Sequence, residues 1–430
     1  MDEIIKKKLK LLAAKYIRKT FLYNPLAFLR AQIQKQRRLF IRETWLMRRA
    51  FKRRSCRLYT RISKKIRSNA RPTAALIFSR TLWNPDHPLH LHGSGRMQKE
   101  AFSCLQNAGF TTYFAGEEDH IYPKEITGAD LIVTVVLPMN ELPATASGAT
   151  LLYTCNTHAI ERERRLHIAS KKWDLPLEPE SSRGTREQNL LAYERSDYLL
   201  IAENDLGVKN FLSNGVPENK IKRYNNCVDI GIWTPGDLKR SKFTYVCYAS
   251  ALGIRKGLPA LIEAWKNWYA GQDAELFLLG TPTIVSDILL GCRKGSPFSG
   301  IHIDLQTYPA QFKPLIEFLK SCHIAVLPTL EDAQPSSLLE MTACGLPVIT
   351  TTESGVEFEN EFCIYVKPNS IEDLCEAFES WYERRDRIQD FGIKARMFIE
   401  NNHSWPIFRR HFRDIILKVA LEWGIMLSAN

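Results

Sequence analysis

The stretch "EDAQPSSLLEMTACGLPVITTTESG", Glu331–Gly355, is the part of the chain from which the rest can be read. Just before it, "HIAVLPT" is a short apolar run bounded by turn signals, which reads as a buried parallel strand. "LEDAQ" leaves the carboxyl end of that strand as a loop. A helix is then predicted from about "PSSLLEMTACG", with Pro335 in its first turn, the hydroxyls of Ser336 and Ser337 as caps, and Gly345 as its stop. The N–H groups from Pro335 to Leu338 would point beyond the sheet and form a seat for an anion. Glu340 lies more than a turn down the helix, where a carboxylate suits a diol such as a ribose. Asp332, ahead of the helix, suits a second set of hydroxyls. Diphosphate, ribose and sugar together describe a nucleotide-sugar. Taken singly, Asp332 and Glu340 read more simply as a loop acid and a solvated helix acid. It is the ordered string that carries the functional reading.

Working outward, strands and helices alternate on both sides. "FTYVCYAS", "AELFLLG", "GIHIDLQ" and "LPVITT" read as strands, with helices at "KGLPALIEAWKNWYAG", "AQFKPLIEFLKSC" and the long "SIEDLCEAFESWYERRDRIQDFGIKARMFIENN". "GIWTPGDLKRSK" is a polar linker holding Pro235 and Gly236. Ahead of it the same alternation occurs once more. "AALIFSRTL", "TTYFAG", "ADLIVTVV" and "ATLLYTCN" are strands, "GSGRMQKEAFSCLQNAGF" is a glycine turn opening an amphipathic helix, and "EQNLLAYERSDYLLIAENDLGVKNFLSNG" reads helix, strand, helix. Such alternation predicts two doubly wound α/β domains, with ligands bound where the carboxyl ends of their strands face each other. The expected divisions are an extension over 1–71, an acceptor domain over 72–236, a donor domain over 237–400 and a terminal helix over 401–430.

Charge is divided unevenly. Residues 1–71 hold 23 Lys+Arg against 3 Asp+Glu, a net +20, leaving 36 against 44, a net −8, for the rest of the 430-residue chain. A mildly acidic body therefore carries a strongly basic arm. "MDEIIKKKLKLLAAKYIRKTFL" sets Ile4, Ile5, Leu9, Leu12, Tyr16 and Ile17 near one helical face among lysines. Large apolar residues such as Leu22, Phe28, Phe40, Trp45 and Phe51 continue the mixture among arginines. No run of apolar residues is long enough to span a bilayer, and the first residues lack a signal-peptide pattern. The ten cysteines form no Cys-x-x-Cys pair and sit mostly in apolar runs, as buried reduced thiols in a cytosolic protein would.

Several motifs give the chain a family resemblance. Asp332, seven residues, Glu340 and then "MTACGLPVI" resembles the signature of retaining family-4 (group 1) glycosyltransferases of the GT-B fold, in which an acid and a Glu seven residues apart precede "Met-Ala-x-Gly-x-Pro-Val-Ile". Asp332 stands where the family has Glu, and Ala333 where it has Gly, with Glu331 one position out of register. "YASALGIRKGLPALIEAW" resembles the family's phosphate-binding segment. The resemblance gives Lys256 the role of neutralising the departing diphosphate. The family's preceding Arg is Ser250 here, and Arg255 lies beside the lysine. A solvated basic turn is the simpler reading of Arg255 and Lys256 by themselves. "HGSGRMQKEAF" resembles the family's glycine loop, with Gly93 and Gly95 admitting a ligand close to the backbone. An ordinary strand-to-helix turn would look the same. "LLYTCNTHAIERERR" places His158 where the family has a His against the donor sugar, and a surface histidine is the equal alternative. "NNCVDIGIW" and "NNHSWPIFRRHF" resemble the family's "NGVD" stretch and its terminal helix, which the resemblance implies crosses back onto the first domain. The resemblance spans about residues 74 to 420.

What the resemblance implies is a GT-B enzyme moving a sugar from a nucleotide-diphosphate sugar to a glycan or lipid-linked acceptor in envelope polysaccharide biosynthesis. The predicted catalytic residues are Lys256, Asp332 and His158. The predicted donor-binding residues are Gly93, Gly95, Ser250, Arg255, Lys256, Pro335, Ser336, Ser337, Leu338 and Glu340. No cofactor or metal is expected, as no Asp-x-Asp motif is present. Two alternatives stand beside this reading: a non-catalytic GT-B-like assembly subunit, and a transferase directed at protein or nucleic acid. The acidic body argues against nucleic acid. For the arm the expectation is an anionic membrane surface on the inner, cytoplasmic face, with a partner protein as the alternative.

Overall fold

The computed structural model describes residues 71–83, 93–143, 146–154, 156–178, 184–202, 204–236, 240–305 and 312–427. The helices expected in the basic arm lie outside the described residues.

The first domain is a parallel sheet built from β1 (Thr73–Phe78), β2 (Thr111–Gly116), β3 (Leu131–Thr134), β4 (Ala149–Thr154), β5 (Tyr198–Ile201) and β6 (Ile221–Arg223), ordered β2-β1-β3-β4-β5-β6. The central strands are buried along their length, which is why they read as continuous apolar runs. Between them run α1 (Gly93–Asn107), α2 (Ala159–Trp173), α3 (Arg186–Arg195) and α4 (Asp205–Ser213). α3 begins with a capping box, in which Thr185 and Gln188 exchange side-chain and backbone hydrogen bonds. The expected strand "ADLIVTVV" stops at Thr134, and a short helix, Val136–Glu141, takes over.

The second domain holds β7 (Phe243–Leu252), α5 (Leu258–Trp268), β8 (Ala274–Pro282), α6 (Ile284–Leu290), β9 (Lys294–Phe298), β10 (Ile301–Asp304), α7 (Phe312–Leu319), β11 (Ile324–Leu327), α8 (Ser336–Ala343), β12 (Val348–Thr350) and β13 (Cys363–Tyr365). Its sheet runs β13-β12-β11-β7-β8-β10-β9 and is parallel except for the antiparallel edge strand β9. β9 was not expected: "KGSPF" has a glycine and a proline, residues at home only on an edge. The three-residue strands β6 and β13 are too short to show a period and were also missed. The long helical stretch after β13 divides into α9 (Ile371–Glu383) and α10 (Ile388–Asn402) at a 3₁₀ turn, Arg385–Arg387.

The last helix, α11 (Trp405–Glu422), returns to the first domain. Its apolar stripe of Phe408, Phe412, Ile416 and Val419 joins Leu76, Met97, Leu105 and Leu151 in one core. An ion pair from Arg409 to Glu100 on α1 (2.9 Å) marks the outer edge of the contact. Among the described residues the cysteines are free, and most are buried.

Candidate active site

β11 ends in an apolar strand and delivers the loop from Thr329 to Gln334 to the top of the second sheet. That loop is tightly held. The Asp332 N–H donates to the Glu353 carbonyl (2.8 Å), and the Gln334 N–H to that of Ser354 (2.9 Å). Gln334 adopts a left-handed backbone, φ 53°. Its side-chain oxygen accepts from the N–H of Asn226 (2.7 Å), and the Asn226 amide donates back to the Gln334 carbonyl (2.8 Å). So a residue from the end of the first domain clamps the entrance of α8. Pro335 caps that helix, and Ser336 and Ser337 occupy its first turn, half-buried, with N–H groups that have no carbonyl a turn behind them. Neither serine caps the helix through its hydroxyl; the Ser336 hydroxyl accepts from Asn226 (3.4 Å) instead.

The second wall is the turn after β7. Ile254–Lys256 form a 3₁₀ turn, ended by Gly257 in the left-handed region, φ 74°. A Cβ at Gly257 would lie 2.1 Å from the Pro328 carbonyl oxygen, so only glycine lets this turn approach the end of β11. The approach brings Lys256 against Asp332: the two form an ion pair, each about 3% exposed. The Asp332 carboxylate also accepts from Arg255 (3.2 Å), and Arg255 lies 3.7 Å from Glu331. Burial opposes the charge of Arg255, but Asp332 and then Glu331 outweigh it and hold its pKa above the ordinary value. One more carboxylate, Glu178, comes from the chain beyond α2. It lies so close to Gly253 that a Cβ there would meet its Oε1 at 1.9 Å.

α2 is the element that brings the first domain here. Ala169 and Leu175 pack with Ile254, Val285 and Leu330 of the second domain. Arg165, oriented by Glu161 (2.7 Å), donates to the Leu330 carbonyl (3.2 Å). At its far end Trp173 donates to Asn369 (3.1 Å).

The expected site residues are therefore placed unevenly. Lys256, Arg255 and Asp332 meet, but as partners of one another rather than as open contacts. Glu340 is not the solvated acceptor that its place on the helix suggested. It faces β7, is 2% exposed, and burial raises its pKa to about 8, with Tyr248 opposing the shift through a hydrogen bond. Ser250, where the family has an Arg, is exposed on β7. His158 is not a surface residue. It precedes α2, packs 5.2 Å from both Tyr193 and Phe211, and is 1% exposed, so burial lowers its pKa to about 4. Its ring is neutral at neutral pH, and its Nδ1 is buried without a partner among the described residues. Gly93 and Gly95 lie within the first turn of α1 rather than in a loop ahead of it, and Gly95 is buried. Residues 306–311, after β10, lie outside the described residues. A cavity of about 420 Å³ opens between β8, β10 and α7, lined in part by Phe277, Leu279, His302 and Asp304. Arg165, Glu178, Tyr248 and the Asn226–Gln334 clamp escaped sequence reasoning. Arg165, in the charged run "ERERR", Tyr248, at the head of "YASALGIRKGLPALIEAW", Asn226, in "NNCVDIGIW", and Gln334, in "EDAQ", lay within motifs already singled out; Glu178 did not.

Residues 243–384 match the family model Glycosyl transferases group 1. No curated protein sequence matches the chain. Among solved structures it is similar to sucrose-phosphate synthase from Thermosynechococcus elongatus, with TM-score 0.61 and 13% identity over 81% of this chain and 100% of that one. It is similar to Anabaena HepE in complex with UDP and glucose, with TM-score 0.53 and 11% identity over 80% and 100%. WaaG, a glycosyltransferase involved in lipopolysaccharide biosynthesis, gives TM-score 0.51 and 14% identity over 80% and 99%. The fold is thus GT-B. Its second domain carries the match to the group 1 glycosyltransferase model.

Proposed function

We propose that the protein is a retaining glycosyltransferase that takes a sugar from a nucleotide-diphosphate sugar. The single observation that carries this is the meeting of the Arg255–Lys256 turn with the loop that leads into α8, within the domain that matches group 1 glycosyltransferases. Two cations thus lie against the loop ahead of a helix start, where a diphosphate would leave. In the reaction the bond between the anomeric carbon and the diphosphate oxygen breaks. The acceptor oxygen bonds to that carbon on the same face, and its proton passes to the departing phosphate. Lys256 and the start of α8 stabilise the charge that develops on the diphosphate. The ribose is expected to lie against α8 with Glu340 beneath it, and Asp332 is the proposed contact to the sugar hydroxyls. His158, neutral and buried, is assigned to shaping the sugar side of the site. The acceptor is a glycan or a lipid-linked glycan bound by the first domain. The enzyme works in the cytoplasm at the inner membrane face, held there by residues 1–71, and uses neither metal nor further cofactor.

A second reading is favoured by one observation. Lys256 and Arg255 are both engaged by carboxylates of the protein itself, as they would be in a binding subunit that has lost catalysis. Mass spectrometry of the protein incubated with a panel of nucleotide-sugars separates the two. Release of nucleoside diphosphate from one donor is the expected result. No turnover of any donor, with or without candidate acceptors, would favour the non-catalytic subunit.

A further inference from the structure

The Asp332 carboxylate spans the two cations of the proposed diphosphate seat. One oxygen pairs with Lys256, and the other lies 3.2 Å from Arg255. Two further carboxylates, Glu331 and Glu178, surround the same pair and act on the Arg255 charge. Two cations therefore face three carboxylates, and the seat is not a positive patch. A buried lysine cannot be left without a counter-charge at tolerable cost, so an incoming anion must exchange with Asp332 rather than add to it. The backbone of Asp332 is anchored through the Glu353 carbonyl, so the exchange moves only the side chain.

We propose that Asp332 is an internal counter-ion and a specificity-determining residue: it holds Lys256 and Arg255 until a ligand bridges both, which selects diphosphates over single phosphates. This rests on the reading of the site as a nucleotide-sugar seat. A diphosphate brings two phosphates to two cations and matches the span that Asp332 occupies. Inorganic phosphate brings one group of lower charge and competes poorly with a tethered carboxylate. Exchange also sets an order of events. Once displaced from Lys256, the carboxylate is available to accept the sugar hydroxyls, so it cannot serve sugar and lysine together.

The test is calorimetric titration of the full-length protein with inorganic pyrophosphate, inorganic phosphate and UDP. The forms compared are the wild type, Asp332→Asn, Asp332→Ser and Lys256→Ala. Both Asp332 variants should bind pyrophosphate about tenfold more tightly or better, and gain still more for phosphate, so that selectivity narrows. Lys256→Ala should lose pyrophosphate binding. Melting curves identify which variants are folded, and pyrophosphate should raise the melting temperature of Asp332→Asn more than that of the wild type. Should wild type bind UDP while folded Asp332 variants hold pyrophosphate no more tightly than it does, this inference alone falls. If no form binds UDP or pyrophosphate, the nucleotide-sugar reading falls with it.

Discussion

At the scale of single residues, the ion pair between Lys256 and Asp332 changes what a mutation should do. An exposed lysine could be removed with little effect on the fold. Lys256 is buried against Asp332, so its loss leaves a carboxylate in a dry site, faced by Arg255 (3.2 Å) and the Thr329 hydroxyl (3.3 Å). Lys256→Ala is therefore expected to lower turnover by about 10²–10³-fold and to destabilise the fold by about 3 kcal/mol. Urea unfolding beside a donor-turnover assay checks both parts. A variant with wild-type stability would show that the pair contributes nothing to the fold. Glu340 carries the opposite sign of pH dependence from most carboxylates. Its folded pKa, about 8, lies above the ordinary 4.5. Its contribution to stability is full below pH 4.5 and is lost as pH rises through 8, at no more than about 1.4 kcal/mol per pH unit. Glu340→Gln, which stays neutral, should melt near the wild type at pH 5 and increasingly above it toward pH 9. Melting curves at the two pH values decide this, and a gap that does not widen with pH would count against the raised pKa.

At the scale of elements, the turn between β7 and α5 owes its position to Gly257. Its φ of 74° and the 2.1 Å approach to the Pro328 oxygen are both incompatible with a side chain. Gly257→Ala should cost about 2–3 kcal/mol or push the turn off the end of β11, separating Lys256 from Asp332. Equilibrium unfolding measures the first, and loss of nucleoside diphosphate binding the second. Unchanged values of both would show that the turn has room to relax. The same passage shows where sequence reading works well and where it stops. The α8 start was legible because Pro335 and Gly345 obey local rules of helix initiation and ending, although the two serines do not cap it as expected. The fate of Glu340 was not legible. Whether a mid-helix carboxylate faces solvent or β7 depends on which side of α8 the sheet lies. The burial of His158 was not legible for the same kind of reason: Tyr193 and Phe211, which bury it, lie on α3 and α4, well beyond any local window.

At the scale of the molecule, charge divides the chain into a basic arm and a mildly acidic body. The described body has no helix long and apolar enough to cross a membrane. Residues 1–71 carry a net +20 with aromatic residues interleaved, and residues 1–70 lie outside the described residues. The full-length protein is expected to sediment with anionic but not neutral vesicles and to be released by salt, since each basic residue near such a surface adds about 1 kcal/mol within a Debye length. Deleting residues 1–71 should abolish sedimentation while leaving turnover on a soluble acceptor. Vesicle binding that survives the deletion would assign the membrane contact to the body instead.

Two tandem α/β domains, the strand-loop-helix unit around Glu331–Gly355 and the division of charge all follow from local pattern. Strand and helix periods, turn residues and composition are set by neighbours in sequence. The pairing of Lys256 with Asp332, the delivery of Arg165 and Glu178 from the first domain and the clamp of Asn226 on Gln334 came from the tertiary structure alone. Each depends on groups tens to hundreds of positions apart, and electrostatic partners are chosen by distance and burial in space. The sequence therefore announced a seat for an anion. Only the folded chain showed that Lys256 and Arg255 are held by a carboxylate of their own chain.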